Sequence, residues 1–159
     1  MCKIEVSGKV LSKYKKLAQY VAEEVVKLMN QPPQIEVAIE FVSEEEIQRL
    51  NREIRNIDRV TDVLSFPSTE IKVGEVLDVT NIEYMPIVTD DGFVHFGDMA
   101  LCLKQTKRQA KEYGVSLESE IKKLVIHSML HLMGYDHIED VDYEIMNKKE
   151  IELDGLIKI

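Results

Sequence analysis

Three of the four histidines of this chain stand within eleven residues, His127-Ser-Met-Leu-His131-Leu-Met-Gly134-Tyr-Asp-His137. On a helix, residues four apart lie one turn apart on one face, with Cβ atoms about 5–6 Å from each other. Imidazoles at His127 and His131 can therefore each aim a nitrogen at one point, at the roughly 2.0–2.1 Å that zinc requires. Gly134 stands where a helix C-terminus favours a residue able to adopt the left-handed conformation. The chain can turn there and bring back His137 as a third ligand. Three protein nitrogens and an open fourth position describe a catalytic zinc site and not a structural one. Nickel and copper accept imidazoles too, so Ni2+ stands beside Zn2+ as a candidate ion.

The spacing His-x3-His-x2-Gly-x2-His repeats that of the metzincin metalloproteases. Zinc peptidases of the His-Glu-x-x-His type use the residue after the first histidine as general base on the metal-bound water. Here that residue is Ser128, whose hydroxyl does not take up a proton near neutral pH. Peptide hydrolysis would need a base from elsewhere, and Ser128 reads as packing. Tyr135 also reads as packing. Asp136 has two readings, orienting an imidazole by a hydrogen bond or closing the turn after Gly134. The fourth histidine, His95, has no such context and reads as an ordinary strand or surface residue.

The elements that must position these residues are patterned clearly. Lys3 to Val6 alternates as a short strand. Ser12 to Met29 carries an apolar stripe at Leu17, Tyr20, Val21, Val25 and Leu28, which predicts a helix stopped by Pro32-Pro33. Ile35, Val37, Ile39 and Phe41 alternate as the clearest strand of the chain. Ser43-Glu44-Glu45-Glu46 reads as a capping box opening a helix to about Arg52, with 51–62 leaving it for a polar loop. Val63 to Phe66 predicts a brief strand ended by Pro67. Residues 68–92 read as a hairpin or flexible flap, with β-prone pieces such as 82–88 and a turn at Asp90-Asp91-Gly92. Phe93 to Leu101 predicts a strand, and Leu103 to Tyr113 a helix ended by Gly114. Ser116 caps the next helix, Leu117 to Met133, which carries His127 and His131. Asp140 to Leu153 forms the last. Strands come early and helices close the chain, so the expected fold is α+β: a small mixed β-sheet packed with helices, with a zincin-like helix bearing the metal motif.

The 159 residues suit one domain, 1–159, with 45% hydrophobic content ruling out a disordered or fibrous chain. No apolar run approaches the roughly 20 residues that span a bilayer, and the start, Met1-Cys-Lys-Ile-Glu, lacks the features of a secretory signal. The cysteines, Cys2 and Cys102, are too few for a disulfide framework or a cysteine zinc site. A cytoplasmic location with no membrane partner is expected. The net charge of −9 offers nucleic acid no bulk attraction. Two basic groups interrupt it, Lys9, Lys13, Lys15 and Lys16, then Lys104, Lys107, Arg108 and Lys111; both read as solvated helix faces.

With its glycine replaced by Ser128, the histidine run resembles the His-Gly-x-Leu-His-Leu-x-Gly-Tyr-Asp-His motif of the YbeY family of bacterial rRNA maturation factors. Leu130, His131, Leu132, Gly134, Tyr135, Asp136 and His137 match as they stand. A second block is similar too: Leu50-Asn51, Arg55, Asp58 and Thr61-Asp62-Val63-Leu64-Ser65-Phe66-Pro67. A third, Gly97-Asp98-Met99, looks like the family's Gly-Asp-Ile segment. The departures are Ser128 and a longer stretch between Pro67 and Gly97. The resemblance implies a metal-dependent, single-strand-directed endoribonuclease acting in maturation of the 3′ end of small-subunit rRNA and in ribosome quality control. It implies zinc held by His127, His131 and His137, with Arg55 and His127 as catalytic residues.

Taken by itself, Arg55 reads as a loop arginine or a structural partner of Asp58 or Asp62. Within the resemblance it becomes the residue that binds the substrate phosphate, because a guanidinium offers paired donors. Asp62 and Ser65 either line the cleft or satisfy loop backbone. The implied partners are RNA, in the form of small-subunit rRNA precursor and ribosomal particles, and a ribosomal or assembly-factor protein. Two rivals remain at this level: a zinc peptidase-like hydrolase, and a non-catalytic ribosome assembly factor whose metal only stabilises the fold.

Overall fold

Strand β2 (Ile35–Phe41) forms the middle of the structure because its odd-numbered residues, Ile35, Val37, Ile39 and Phe41, are all apolar and point to one face. In the computed structural model, which describes residues 1–80, 85 and 88–159, β2 is flanked in parallel by β1 (Lys3–Ser7) and β4 (Val94–Leu101). Strand β3 (Val63–Pro67) runs antiparallel on the far edge of β4, so the sheet order is β1-β2-β4-β3. The sheet is mixed, as expected. A register irregularity between Glu36 and Val37 interrupts the pairing of β2 with β4.

Helices α1 (Ser12–Leu28) and α4 (Leu117–Leu132) pack together, and with the sheet they enclose the larger core. Ala18, Val21, Ala22 and Val25 of α1 are fully buried there. Helix α2 (Glu44–Arg55) contributes Ile47 to a smaller cluster with Leu64, Ala100 and Cys102. Helices α3 (Leu103–Tyr113) and α5 (Asp140–Leu156) flank α4. Among the described residues, no helix is long and apolar enough to cross a membrane.

Two helix starts follow their sequence signals. Ser43 Oγ accepts from the Glu46 N–H at 3.1 Å, and Ser116 Oγ from the Ser119 N–H at 3.0 Å. The capping box is only half formed, because the Glu46 carboxylate turns to Arg49 at 2.6 Å. Helix α2 also outruns its expected end at Arg52 and continues to Arg55. Asn56 takes the left-handed conformation at φ 58° and closes it. Asn51 does not leave the helix; it is buried, and its Nδ2 donates to the Arg59 carbonyl at 3.0 Å, tying the 56–62 loop to α2.

The expected hairpin or flexible flap over 68–92 divides in two where the structure describes it, with Val88 and Val94 bridged antiparallel around the 90–92 turn and the earlier part packed down. Leu77 is buried in the main core, its N–H donates to Gln31 Oε1 at 3.0 Å, and Gln31 Nε2 donates to the Glu75 carbonyl at 3.1 Å. This stretch is anchored, not loose. The turn at Asp90-Asp91-Gly92 is present, with Thr89 N–H on the Phe93 carbonyl at 2.7 Å. Most of the β-prone piece at 82–88 lies outside the described residues.

Helix α4 is the axis of the fold. From Glu120 to Leu132 every residue is buried except Lys123, His127 and His131. These are spaced i, i+4, i+8, so a helix otherwise enclosed on all sides opens along a single stripe. The close approach of α4 to the sheet depends on Gly97, where an added Cβ would lie 2.6 Å from Leu132 Cδ2 and 2.8 Å from the Phe66 carbonyl oxygen. Gly97→Ala is therefore expected to destabilise by about 1–3 kcal/mol, read as a lower urea midpoint at unchanged m-value.

Candidate metal centre

The exposed stripe of α4 forms one wall of a cleft of about 750 Å³. Strand β3, the ends of α2 and α3, the 134–138 turn and Glu150 of α5 complete it. His127 and His131 point into it from α4. Gly134 then reverses the chain at φ +93°. An added Cβ there would also run into the Ile71 carbonyl, so glycine is required on two counts. His137 follows, and the ligating nitrogens of the three rings lie within 4.8 Å of one another.

The protons on these rings are assigned by their partners. His131 Nδ1 lies 2.9 Å from the Tyr135 carbonyl, which only accepts, so Nδ1 carries the hydrogen. His127 Nδ1 lies 2.7 Å from Glu150 Oε1 and donates to that carboxylate. In the neutral rings both Nε2 atoms are then bare lone pairs, and they face each other at 3.1 Å. Two acceptors at that distance repel unless a cation lies between them. Tetrahedral zinc at its usual bond length would set its nitrogen ligands about 3.3 Å apart. The donor set fits a divalent ion, and the arrangement names the atoms that would hold it: Nε2 of His127 and of His131, with a ring nitrogen of His137.

Burial, and after it the neighbouring charge of His127, lowers the His131 pKa from 6.5 to about 4. This ligand stays unprotonated well below neutral pH, ready for a metal.

Glu150 was not singled out by sequence reasoning. It sits on α5, 23 residues beyond His127, with no local spacing to betray it. Of the two readings of Asp136, the structure shows the turn closure: its Oδ1 accepts from the Ile138 N–H at 3.2 Å. Ser128 is also more than packing: fully buried, its Oγ lies 2.6 Å from Ser65 Oγ and bridges α4 to β3. Tyr135 is buried as expected. Asp62 lines the cleft and also holds backbone, accepting from the Val63 N–H at 2.7 Å. Its other oxygen accepts from Gln109 Nε2 at 3.0 Å, which is 3.2 Å from buried Glu120. His95 stands apart on β4, its Nε2 2.9 Å from Asp98.

Arg55 lines the same cleft from the last turn of α2. Its proposed structural partners are otherwise engaged: Asp58 with Arg52 at 3.3 Å and Gln48 at 3.0 Å, and Asp62 as above. Among the described residues Arg55 has no ion-pair partner. Neither basic cluster noted in the sequence borders the cleft, and Arg108 of the second is paired with Glu44 at 2.7 Å.

A family profile described as Endoribonuclease YbeY matches residues 3–155. The chain belongs to the YbeY endoribonuclease family. A YbeY endoribonuclease of Clostridium botulinum (strain Kyoto) is 38% identical over 154 residues, covering 95% of this chain and 90% of its own. That of Clostridium acetobutylicum is 45% identical over 120 residues, 74% of this chain and 72% of its own. A Thermotoga maritima protein solved in solution superposes with a TM-score of 0.60 at 28% identity, over 96% of this chain and 87% of that one. The cleft described here is thus a site on a YbeY fold, and the resemblance drawn from the histidine run extends over nearly the whole chain.

Two outcomes test this geometry. Glu150→Ala should leave the fold intact and weaken Zn2+ binding by about 10- to 100-fold, measured by competition with a chromogenic chelator. For the metal-free protein, His131 is harder to protonate folded than unfolded. Its contribution to stability is full above pH 6.5 and is lost as pH falls through 6.5 toward about 4. Urea midpoints of His131→Gln should fall less steeply across that window than those of the parent.

Proposed function

We propose that this chain, acting as one unit over residues 1–159, is a metal-dependent endoribonuclease directed at single-stranded RNA. We place its work in maturation of the 3′ end of small-subunit rRNA and in ribosome quality control. The observation that carries the reading is the pairing of a three-imidazole centre with Arg55, a cation without an ion-pair partner among the described residues, on walls of one cleft.

Bound at Nε2 of His127 and His131 and at His137, Zn2+ would supply Lewis acidity toward water and toward a non-bridging phosphate oxygen; Ni2+ has the same ligand preference. His127 is held for this by Glu150, and His131 by the Tyr135 carbonyl, so neither ring must reorganise on loading. Arg55 approaches the phosphate from the end of α2, donating paired N–H groups to its oxygens as negative charge builds there. Its helical setting aids that task, because the Asn56 cap holds the backbone beneath it. Ser128 offers no base of the kind a zinc peptidase uses at this position, being buried and bonded to Ser65.

The setting is the cytoplasm, and the partners are rRNA precursor, ribosomal particles and a ribosomal or assembly-factor protein. A chain of net charge −9 gains from such a partner, because it lacks the broad basic face that nucleic acid favours.

Single substitutions separate the roles. His131→Ala should lose both stoichiometric zinc and cleavage of a single-stranded RNA. Arg55→Ala should retain zinc and the fold but cut about 10²- to 10³-fold more slowly, measured by gel assay of the metal-loaded protein. Normal cleavage by Arg55→Ala would overturn the phosphate role. Cleavage of an unstructured peptide in place of RNA would overturn the nuclease.

A further inference from the structure

The stripe that opens α4 to the cleft holds one residue besides the two histidines. Lys123 lies four residues, about one turn, before His127, roughly 6 Å along the helix axis, on the one exposed line of the otherwise enclosed segment 120–132. Its ammonium sits 5.3 Å from the centre of the Tyr113 ring. Tyr113 is the last residue of α3, is 57% exposed, and lines the cleft beside Lys123.

What sets this pair apart is its place at the cleft. Among the described residues, Arg55 and Lys123 are the only lysine or arginine side chains bordering the cleft, and neither has an ion-pair partner. Six cations away from the cleft, Lys3, Arg49, Arg52, Arg108, Lys122 and Lys149, are paired with carboxylates. Tyr143 is as exposed as Tyr113, and Tyr14 and Tyr135 are buried, but Tyr113 is the exposed tyrosine that stands at the rim of the cleft. Packing does not account for it, since Gly114 ends α3 immediately after it, with the ring turned to the cleft and not to the core.

We propose that Tyr113 and Lys123 form a nucleotide subsite beside the metal centre, in which the ring stacks an unpaired base and the ammonium contacts the phosphate of that nucleotide. The proposal rests on the nuclease reading of the cleft and adds where the strand runs: from Arg55 and the imidazoles along α4 toward its N-terminus. Aromatic rings bind bases with little regard to sequence, because every base has a π face. Stacking also requires that the base be free to leave its neighbours, which a duplex prevents. The subsite thereby supplies a physical source for preference toward single strands in an acidic chain. Lys123 keeps the ring in place by its cation–π contact and adds local positive charge where the net charge is adverse.

The test uses the zinc-loaded protein and a fluorescein-labelled single-stranded RNA of about ten nucleotides (the middle of the roughly 4–16 nucleotide range of single-strand site sizes) carrying 2′-O-methyl sugars, with binding followed by anisotropy. A matched series lacks one base at a time. Tyr113→Ala should weaken the intact probe by about 5- to 150-fold, the range of one base stacked on an aromatic ring, and Tyr113→Phe should retain parental affinity. One abasic probe should bind the parent weakly to the same degree, and Tyr113→Ala should add no further loss with it. Lys123→Met should lower the slope of log affinity against log salt by about 0.7, one phosphate contact on a single strand. If Tyr113→Ala binds the intact probe within about twofold of the parent, or weakens every abasic probe equally, there is no stacked base and the subsite is wrong. Unmodified RNA separates the two claims. Cleavage by the parent alongside such a result leaves the nuclease standing and removes only the subsite, whereas a parent that neither binds nor cuts RNA removes both.

Discussion

Two imidazole nitrogens that face each other with no proton between them define this molecule. Their 3.1 Å separation follows from where the opposite side of each ring is held: one on the Glu150 carboxylate, the other on the Tyr135 carbonyl. A carbonyl cannot donate, and a carboxylate beside an N–H has no reason to. The lone pairs are thereby turned inward, and a cation is the species that relieves their repulsion. The surrounding structure works to keep them so. Glu150 comes from α5 and the Tyr135 carbonyl from the turn after Gly134, so two separate pieces of chain converge on the two rings of α4.

Helix α4 can carry that burden because it is enclosed. A surface helix tolerates side-chain rearrangement, whereas one buried on nearly all sides has its rotamers set by close packing. Gly97 lets the sheet approach it, and the Ser65–Ser128 contact ties β3 of that sheet to it. Ser128 departs from the glycine of the family motif, yet it fits because Ser65 offers the hydroxyl partner that a buried oxygen needs. The reactive stripe is thus a narrow opening in a rigid element, with β3 as the facing wall.

Charge placement follows the same economy. Six cations of this acidic chain are paired with carboxylates, whereas among the described residues the two that border the cleft have no such partner. Asp62 and buried Glu120 lie in the same cleft, and Gln109 Nε2 donates to one oxygen of each. What the chain presents to an incoming phosphate is local and directional, which is how a protein of net charge −9 can belong to an endoribonuclease family.

Much of this was legible without coordinates. The i, i+4 histidines, the glycine that must turn the chain and the alternation of Ile35 to Phe41 are local patterns, and local geometry translates them directly into a helix, a reversal and a strand. So do the serine caps at Ser43 and Ser116, whose hydroxyls meet N–H groups three residues on. Residues joined across long separations were not legible. Glu150 has no periodic relation to His127, and the roles of Asp136 and Ser128 turned on which atoms approach them from elsewhere. The end of α2 hinged on Asn56 adopting a left-handed conformation, and the anchoring of 71–77 on Gln31 reaching across to Leu77 and Glu75. Sequence by itself determined which side chains can bind a metal and which elements carry them, because spacing along a helix is a property of the backbone. Tertiary structure alone decided which proton each ring keeps, which cations stay unpaired and which face of α4 sees solvent, because those depend on neighbours that the chain brings together only when it folds.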